Sequence, residues 1–233
     1  AIPRIGNMRK KIFTWLGKEF IELSGEAKAG ANAAIEAQDL FRQFDDELIA
    51  HGLSLDNTVR SRLWGRDRQS RDLGSVERVK ILSRKARSAS SSYIAPEHFD
   101  SSARIALDLL AIRPAVANAV KRVVEYEPPI APIRFLVYDS VVVLSGVTTV
   151  LPTLAEQFDN IFPRIAGSLK DAGSSWDKAA RVSFYLHRSQ SLDNLKALFT
   201  RHVTAKVPQL EYCFVDGYSS EGKFCEVEVT ATV

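Results

Sequence analysis

The sequence predicts an α+β protein made of two tandem domains, each a mixed β-sheet with two helices packed on one face. Three observations lead to this prediction: an internal repeat, the same order of strand and helix patterns in both copies, and a proline-rich segment between them. The chain of 233 residues has room for two domains of about 110–120 residues, a size at which each can bury its own core.

The internal repeat is found when the chain is compared with itself at an offset of 121 residues. Residues 23–72 then align with residues 144–193 without a gap, and 13 of the 50 positions are identical, beginning with Leu-Ser-Gly in both copies. Average residue usage would give about 3 identities by chance. A period this long indicates two copies of a domain and excludes a solenoid of short repeats.

Each copy begins with two short strands around a polar turn. The two segments are KIFTWLGKEFIELSG and RFLVYDSVVVLSG, with their turns at residues 17–18 and 139–140. A helix follows each hairpin, because apolar residues then recur at helical spacing. Gly52 and Gly173 are expected to close these helices, where a left-handed residue is needed.

Each copy continues with a strand (TVRSRLW and AARVSFYL), a short amphipathic helix and two strands that are expected to pair with each other. Asp72 and Asp193 are the expected N-caps of the short helices. The final strands are SASSSYI with ARIALDLLA, and EYCFVDGY with FCEVEVTATV. The proline-rich segment Glu125–Pro132 links the copies, and the domains are predicted to span residues 1–120 and 121–233.

Composition excludes several classes of protein. The 45% hydrophobic and 25% charged content is typical of a globular protein and excludes a disordered or fibrous chain. Apolar runs such as Val141–Leu144 fall far short of the roughly 20 residues of a membrane helix, and the N-terminal pattern predicts no secretory leader. Two cysteines and four histidines without ligand spacing predict no disulfide framework, no metal and no cofactor, so a cytoplasmic protein is expected.

The positive charge is concentrated in the first copy. Residues 1–120 carry 19 Lys+Arg against 15 Asp+Glu, a net charge of +4, whereas the remainder carries 12 against 13, a net charge of −1. Ten of the 28 residues from Arg60 to Arg87 are basic. This confinement favours a local anion site over a general polyanion surface, so nucleic acid is a disfavoured partner.

The order of these motifs resembles the RidA (YjgF) family. In the C-terminal copy, VVVLSG, AGSSWDKAARVSFYL and EVEVTATV occur in the family's order across residues 135–233. The N-terminal copy resembles a diverged member through IELSG, HGLSLDNTVRSRLW and ARS. The resemblance covers nearly the whole chain and implies a tandem two-domain member with the family's fold in both copies.

The resemblance also implies a trimer with ligand sites in the clefts between subunits, and an enzyme that hydrolyses reactive enamines or imines to keto acids and ammonia. In the family, an arginine pairs with the substrate carboxylate and a glutamate in the last strand holds the attacking water. Here the two are split between the copies: the first keeps Arg87, whereas the second keeps Glu226 and has Leu210 at the arginine position. Arg87 and Glu226 are therefore the candidate catalytic residues, expected to meet across an inter-domain cleft.

The candidate substrate-binding residues surround this arginine in the sequence. Arg60, Arg62 and Trp64 alternate along a predicted strand and so share one face, where Trp64 can stack on a guanidinium. Together with Arg87 and Ser88 they predict a pocket for one or more carboxylates, because the planar fork of arginine binds carboxylates with two hydrogen bonds. A solvated basic face is the alternative interpretation.

Two further pairs complete the candidate site. Ser145 and Gly146 follow a strand and are expected to offer backbone groups to a ligand, although glycine there equally permits a tight exit from the strand. Glu226 and Glu228 alternate with apolar residues and so face the same way; on a solvent-exposed face they would be ordinary strand charges.

The sequence therefore predicts a hydrolase or deaminase acting on an enamine, imine or related ring of a carboxylate-bearing metabolite. Chorismatases also resemble tandem RidA-type domains, so a chorismatase-like enzyme is one alternative. A non-catalytic metabolite-binding or interaction protein is another, because split motifs are what a degenerate duplicate would show. A homotrimer is expected, since apolar runs at Val141–Leu144 and Phe184–Leu186 would need a neighbouring subunit to cover them.

Overall fold

The structure is a computed structural model that describes residues 8–233. Its first half is a five-stranded sheet in the order β1-β2-β5-β3-β4, in which only β3 and β4 run parallel. The elements of this half are β1 (Arg9–Trp15), β2 (Lys18–Glu26), α1 (Ala33–Ala50), β3 (Thr58–Gly65), α2 (Arg68–Ile81), β4 (Ala89–Ile94) and β5 (Ile105–Arg113).

The second half is a six-stranded sheet in the order β10-β9-β11-β8-β7-β6, in which only β9 and β10 run parallel. Its elements are β6 (Arg122–Val124), β7 (Phe135–Tyr138), β8 (Val141–Leu144), α3 (Leu154–Asp171), β9 (Ala179–His187), α4 (Leu192–His202), β10 (Gln209–Val215) and β11 (Cys225–Thr232). Strand β6, at the entrance to the proline-rich segment, is an element that the sequence patterns did not predict.

The predicted α+β class with two tandem units is confirmed. Helices α1 and α3 both have 18 residues and begin 121 residues apart, and β3 and β9 begin at the same offset. The repeat therefore describes the three-dimensional structure as well as the sequence. The first sheet ends at Arg113 and the second begins at Arg122; a domain boundary after residue 120 stays a prediction.

The two helices of each half pack on one face of their sheet. The aromatic residues of the long helices, Phe41 and Phe44 in α1 and Phe158 and Phe162 in α3, are buried against that face. Both helices are followed by a glycine in the left-handed region, with φ of +72° and +79°. These positions confirm the helix ends expected from the sequence.

The expected N-caps of the short helices were wrong. Helix α2 begins earlier, with Asp67 as N-cap accepting a hydrogen bond from the Ser70 amide at 2.8 Å, and α4 has Ser191 as its N-cap. Asp193 instead lies in the first turn of α4, where a carboxylate is also favoured by the helix dipole. Asp72 is the fifth residue of α2 and lies beyond its first turn.

The expected pairing of the last two strands was also wrong. Strand β4 pairs with β3 at the sheet edge, while β5 lies between β2 and β3; β10 and β11 have the equivalent places in the second sheet. The short helices α2 and α4 each cross over between two adjacent parallel strands, and the strand that follows each of them lies at the sheet edge. The C-terminal strand of each half therefore occupies the interior of its sheet.

The sheet faces opposite the helices pack on each other. Val141 and Val143 of β8 are fully buried in one apolar cluster with Phe20, Leu110 and Ile112 of the first half. In β9, Phe184 and Leu186 face their own helices, whereas Tyr185 stacks on Tyr93 of the first half with ring centroids 4.0 Å apart. The expectation that these runs are exposed and need a neighbouring subunit was wrong, because the same chain covers them.

No helix among the described residues is long and apolar enough to cross a membrane.

The N-cap assignment of α2 gives a stability prediction. Asp67→Ala should lower the free energy of unfolding by about 1 kcal/mol, because the Ser70 amide loses its acceptor at the helix terminus. Asp72→Ala, which removes only an exposed ion pair with Arg71, should cost less than about 0.5 kcal/mol. Urea denaturation of both variants checks the order; a larger loss in Asp72→Ala would contradict the assignment.

Candidate functional site

A buried ion network joins the two halves. Glu228 on β11 has 1% of its surface exposed and points at the first half, where it accepts hydrogen bonds from Arg62 Nε at 2.8 Å, Ser91 Oγ at 2.7 Å and Tyr93 Oη at 2.6 Å. Arg60 Nε lies 3.2 Å from the same carboxylate. Burial acts to raise the pKa of Glu228, but the two guanidiniums and these donors outweigh it and hold the pKa below its ordinary value.

Three of the predicted substrate-binding residues belong to this network. Arg60 donates to Thr230 Oγ1 at 2.9 Å, Arg62 also pairs with Asp108 at 3.5 Å, and Trp64 Nε1 donates to Asp108 at 3.1 Å. The three share one face of β3 as expected, and that face meets the second half. Trp64 stacks on His98 with centroids 5.0 Å apart, whereas the cation over Tyr185 is Arg62. These three side chains are not part of the wall of the cavity of about 900 Å³ that lies between the two halves.

A cavity of about 900 Å³ lies where the two halves and the proline-rich segment meet, and its volume is that of a small-molecule site. The first half supplies a basic, hydroxyl-rich wall, the linking segment a second wall, and the second half a wall that contains Glu226. The principal lining residues are Arg71, Arg78, Arg87, Ser88, Ser90, Ser91, Ser92, Glu125, Tyr126, Pro129, Ile130, Pro132, Gly146, Thr148, Arg164, Ser219, Lys223 and Glu226.

Glu226 is the acid of this cavity. It is 5% exposed, and its Oε2 atom is buried without a hydrogen-bond partner among the described residues. Burial raises its pKa to about 7, Lys223 and Arg78 act to lower it, and the neighbouring Glu228 adds to the rise. A carboxyl group with this pKa is populated in both protonation states near neutral pH, which suits proton transfer.

Gly146 makes room for this carboxyl group. A Cβ atom at position 146 would stand 2.4 Å from Glu226 Oε2, so a side chain there would displace it. The Gly146 amide donates to Ser90 O at 3.1 Å and Ser145 Oγ accepts from the Ser90 amide at 3.0 Å. The predicted Ser145-Gly146 pair therefore clamps β4 of the first half beside Glu226, and Gly146 lines the cavity while Ser145 is buried behind it.

The predicted arginine and its neighbouring serine lie in the same cavity as Glu226. Arg87 forms an ion pair with Glu125 of the linking segment, with Nη1 2.6 Å from Oε1. Ser88 is buried, and its Oγ has no hydrogen-bond partner among the described residues. The structure thus places Arg87, Ser88, Gly146 and Glu226 around one space; what they do there stays a prediction.

Sequence reasoning missed several cavity cations, of which Arg78 on α2 is the most deeply buried. Its Nη1 donates to Ser91 O at 2.6 Å and to Ser61 O at 3.3 Å, and burial followed by the neighbouring Arg71 lowers its pKa to about 10. The excess of basic residues between residues 60 and 87 was the available signal. Because that helix was predicted to begin later than it does, the sequence did not show which of them turn inward.

The described residues contain no group of three or more His, Cys, Asp or Glu side chains that could hold a metal ion.

Comparison with known proteins places the fold. No family model matches the sequence, and no curated protein matches it. Among solved structures, a chorismatase crystal structure is similar over 95% of this chain and 79% of its own, with 14% sequence identity and a TM-score of 0.65. The similarity runs through both halves, so the two units share an arrangement that a chorismatase also has.

Single-domain structures match about half of the chain. A YjgF-family member from Mycobacterium tuberculosis covers 48% of this chain and 99% of its own, with 19% identity and a TM-score of 0.43. A Rid-family protein of unknown function from Yersinia pestis covers 49% and 100%, with 18% identity and the same TM-score. The likeness to the chorismatase structure through both halves, at a TM-score of 0.65, confirms the tandem fold that the sequence motifs predicted.

The ion network yields a prediction about the joint between the halves. Glu228→Gln should lower the free energy of unfolding by about 3 kcal/mol, because Arg60 and Arg62 would lose the buried anion that compensates them. Glu97→Gln removes a matched but exposed ion pair between the halves, with Arg188, and should cost at most about 1 kcal/mol. Equal losses in urea denaturation at pH 7 would show that the buried network contributes no more than a surface pair.

Glu226 should oppose folding once it ionises. Its pKa rises from the ordinary 4.5 to about 7 on folding, so the protein loses stability as pH increases between those values. Glu226→Gln should therefore match the unsubstituted protein at pH 4 and exceed it by on the order of 3 kcal/mol at pH 8. Thermal or urea unfolding across this range measures the difference, with the exposed Glu221→Gln as control. A difference independent of pH would place the Glu226 pKa near its ordinary value.

Proposed function

We propose that the chain is a small-molecule hydrolase that acts on an imine or enamine of a carboxylate-bearing metabolite, in the cavity between its two halves. One observation carries this proposal: a buried carboxyl group with a free oxygen and a pKa of about 7 faces a cavity whose opposite wall holds arginines. The cationic wall holds the substrate carboxylate, and Glu226 moves the proton.

The reaction on an imine needs one water and one proton-transfer group. With the protonated imine, the Glu226 carboxylate accepts a proton from water while the water oxygen bonds to the imine carbon, which gives a neutral carbinolamine. Glu226 then returns that proton to nitrogen, and the C–N bond breaks as the hydroxyl oxygen forms the carbonyl. The hydroxyl proton passes by way of the Glu226 carboxylate to solvent, and ammonia and a keto acid leave. Electrostatic attraction from the basic wall keeps the anionic substrate beside Glu226 during both steps.

A chorismatase-like reaction is the second candidate, favoured by the likeness to a chorismatase through both halves. The several cations of the cavity suit a substrate with more than one carboxylate, such as chorismate. In that reaction protonated Glu226 would donate its proton to the methylene carbon of the enol ether. Water would then add to the resulting cationic carbon, and the hemiketal would release pyruvate and an alcohol. A non-catalytic metabolite-binding protein is the alternative without chemistry.

Assembly and compartment are part of the proposal. The resemblance to trimeric proteins supports a homotrimer, although both sheet faces are already covered within one chain. The absence of a membrane-spanning helix among the described residues agrees with action in the cytoplasm. Sedimentation at micromolar concentration tests the assembly, and a monomer would contradict the trimer without affecting a cavity built from one chain.

The test combines two substrates with a pH profile. Imino acids generated in situ by an amino-acid oxidase are assayed for ammonia release, and chorismate is assayed in parallel for pyruvate release. Because the carboxylate form of Glu226 serves the imine and the acid form serves the enol ether, kcat/KM should rise through about pH 7 with imines and fall through it with chorismate.

Two variants and a control complete the test. Glu226→Gln should reduce either activity by at least about 100-fold, which is the usual contribution of a proton-transfer group. Gly146→Ala should also reduce activity, because the added Cβ displaces the Glu226 carboxyl. The control is Gly167→Ala on α3, where the added Cβ would meet only Arg134 Nη2, at 3.9 Å; this variant should leave activity unchanged. Full activity in Glu226→Gln would reject the proposal, and binding without turnover would favour the non-catalytic alternative.

A further inference from the structure

The cavity contains a buried guanidinium that forms no ion pair with a described carboxylate. Arg78 is 7% exposed, and its hydrogen bonds go to Ser61 and Ser91, that is, to strand carbonyls and a hydroxyl group. Among residues 8–233 no carboxylate forms an ion pair with it. A buried cation without an ion-pair partner is costly. The Arg78 side chain lines the cavity.

Arg87 is in the opposite situation. Glu125 of the linking segment already pairs with its Nη1 at 2.6 Å, and its Nη2 lies 3.5 Å from Ala131 O. A ligand carboxylate that bonds to Nη1 of this guanidinium competes with Glu125. The arginine that the sequence motif singles out therefore already has a carboxylate partner, whereas Arg78 has no ion-pair partner among the described residues.

The second half contributes a matching cation. Lys223 lines the cavity, donates to Ser219 Oγ at 2.6 Å, and forms no ion pair with a described carboxylate. Burial lowers the pKa of Lys223, and burial followed by Arg71 lowers that of Arg78. Both cations line the same cavity as Glu226, one from each half.

We infer that Arg78 and Lys223 form an inner anion subsite, which takes one carboxylate of a small organic acid beside Glu226, and that Glu125 keeps Arg87 closed to a first carboxylate. That the occupant belongs to a substrate rests on the proposed function. The subsite itself rests on two cations from opposite halves that form no ion pair with a described carboxylate, and on the hydroxyl-rich wall around them. Ser88, whose buried Oγ is unpartnered, provides an additional donor in the same cavity.

Binding of pyruvate as a small monocarboxylate tests this assignment without turnover. Calorimetric titration of the full chain should show one site per chain in the millimolar range. Lys223→Met and Arg78→Lys should each weaken binding about tenfold or more, because a charge-assisted hydrogen bond or the guanidinium fork is lost. Arg87→Met should change the affinity by less than about twofold. Lys223 is partly exposed, so its variant is informative even if Arg78→Lys unfolds.

Glu125→Gln is the second arm of the experiment. Removing the internal carboxylate should free Arg87 and raise the pyruvate stoichiometry from one to two per chain. Loss of binding in Arg87→Met with retention in Lys223→Met and Arg78→Lys would overturn the inference, as would absence of binding to the unsubstituted protein at concentrations up to ~50 mM. Failure of the proposed function gives a different result: pyruvate would bind at the inner subsite, and Glu226→Gln would not alter turnover.

Discussion

The architecture depends on one buried anion, the carboxylate of Glu228, which both sheets surround. Arg62, Ser91 and Tyr93 of the first half donate hydrogen bonds to it from β3 and β4, and Arg60 adds an ion pair. Each guanidinium would be costly at this depth without the carboxylate, and the carboxylate would be costly without them. Because the pair spans the joint, neither half can move relative to the other without separating buried charges.

This constraint also fixes the candidate site. Glu226 stands two residues before Glu228 on β11, so both carboxyl groups leave the same face of the strand toward the first half. One is saturated with donors and has a lowered pKa, while the other faces a cavity with a free oxygen and a raised pKa. Glu228, which is paired, thus holds the strand in register, whereas Glu226, which is unpaired, is available for chemistry. The residue type alone does not distinguish these two roles.

Local patterns in the sequence predicted most of the elements, because hairpins, long amphipathic helices and their closing glycines depend on neighbouring residues. Strand order could not be predicted in the same way, since the edge places of β4 and β10 follow from crossovers between distant segments. The split motif led to Arg87 and Glu226, and the structure places both in one cavity. It did not lead to Arg78 or Lys223, which are singled out because neither forms an ion pair with a described carboxylate. Whether a side chain finds a partner across the joint between the halves cannot be seen in a local sequence pattern.

The duplication has made the two equivalent regions of the joint different. Around Asp108, which by strand register is the first-copy counterpart of Glu228, the space is only about 20 Å³, room for about one water molecule. Arg62 and Trp64 already contact this carboxylate, and burial raises its pKa to about 6. The first copy therefore provides the cationic wall and the second provides the acid, and one asymmetric cavity forms per chain. A split motif in a duplicated chain is what such specialisation produces, so the missing halves of the motif do not by themselves indicate loss of activity.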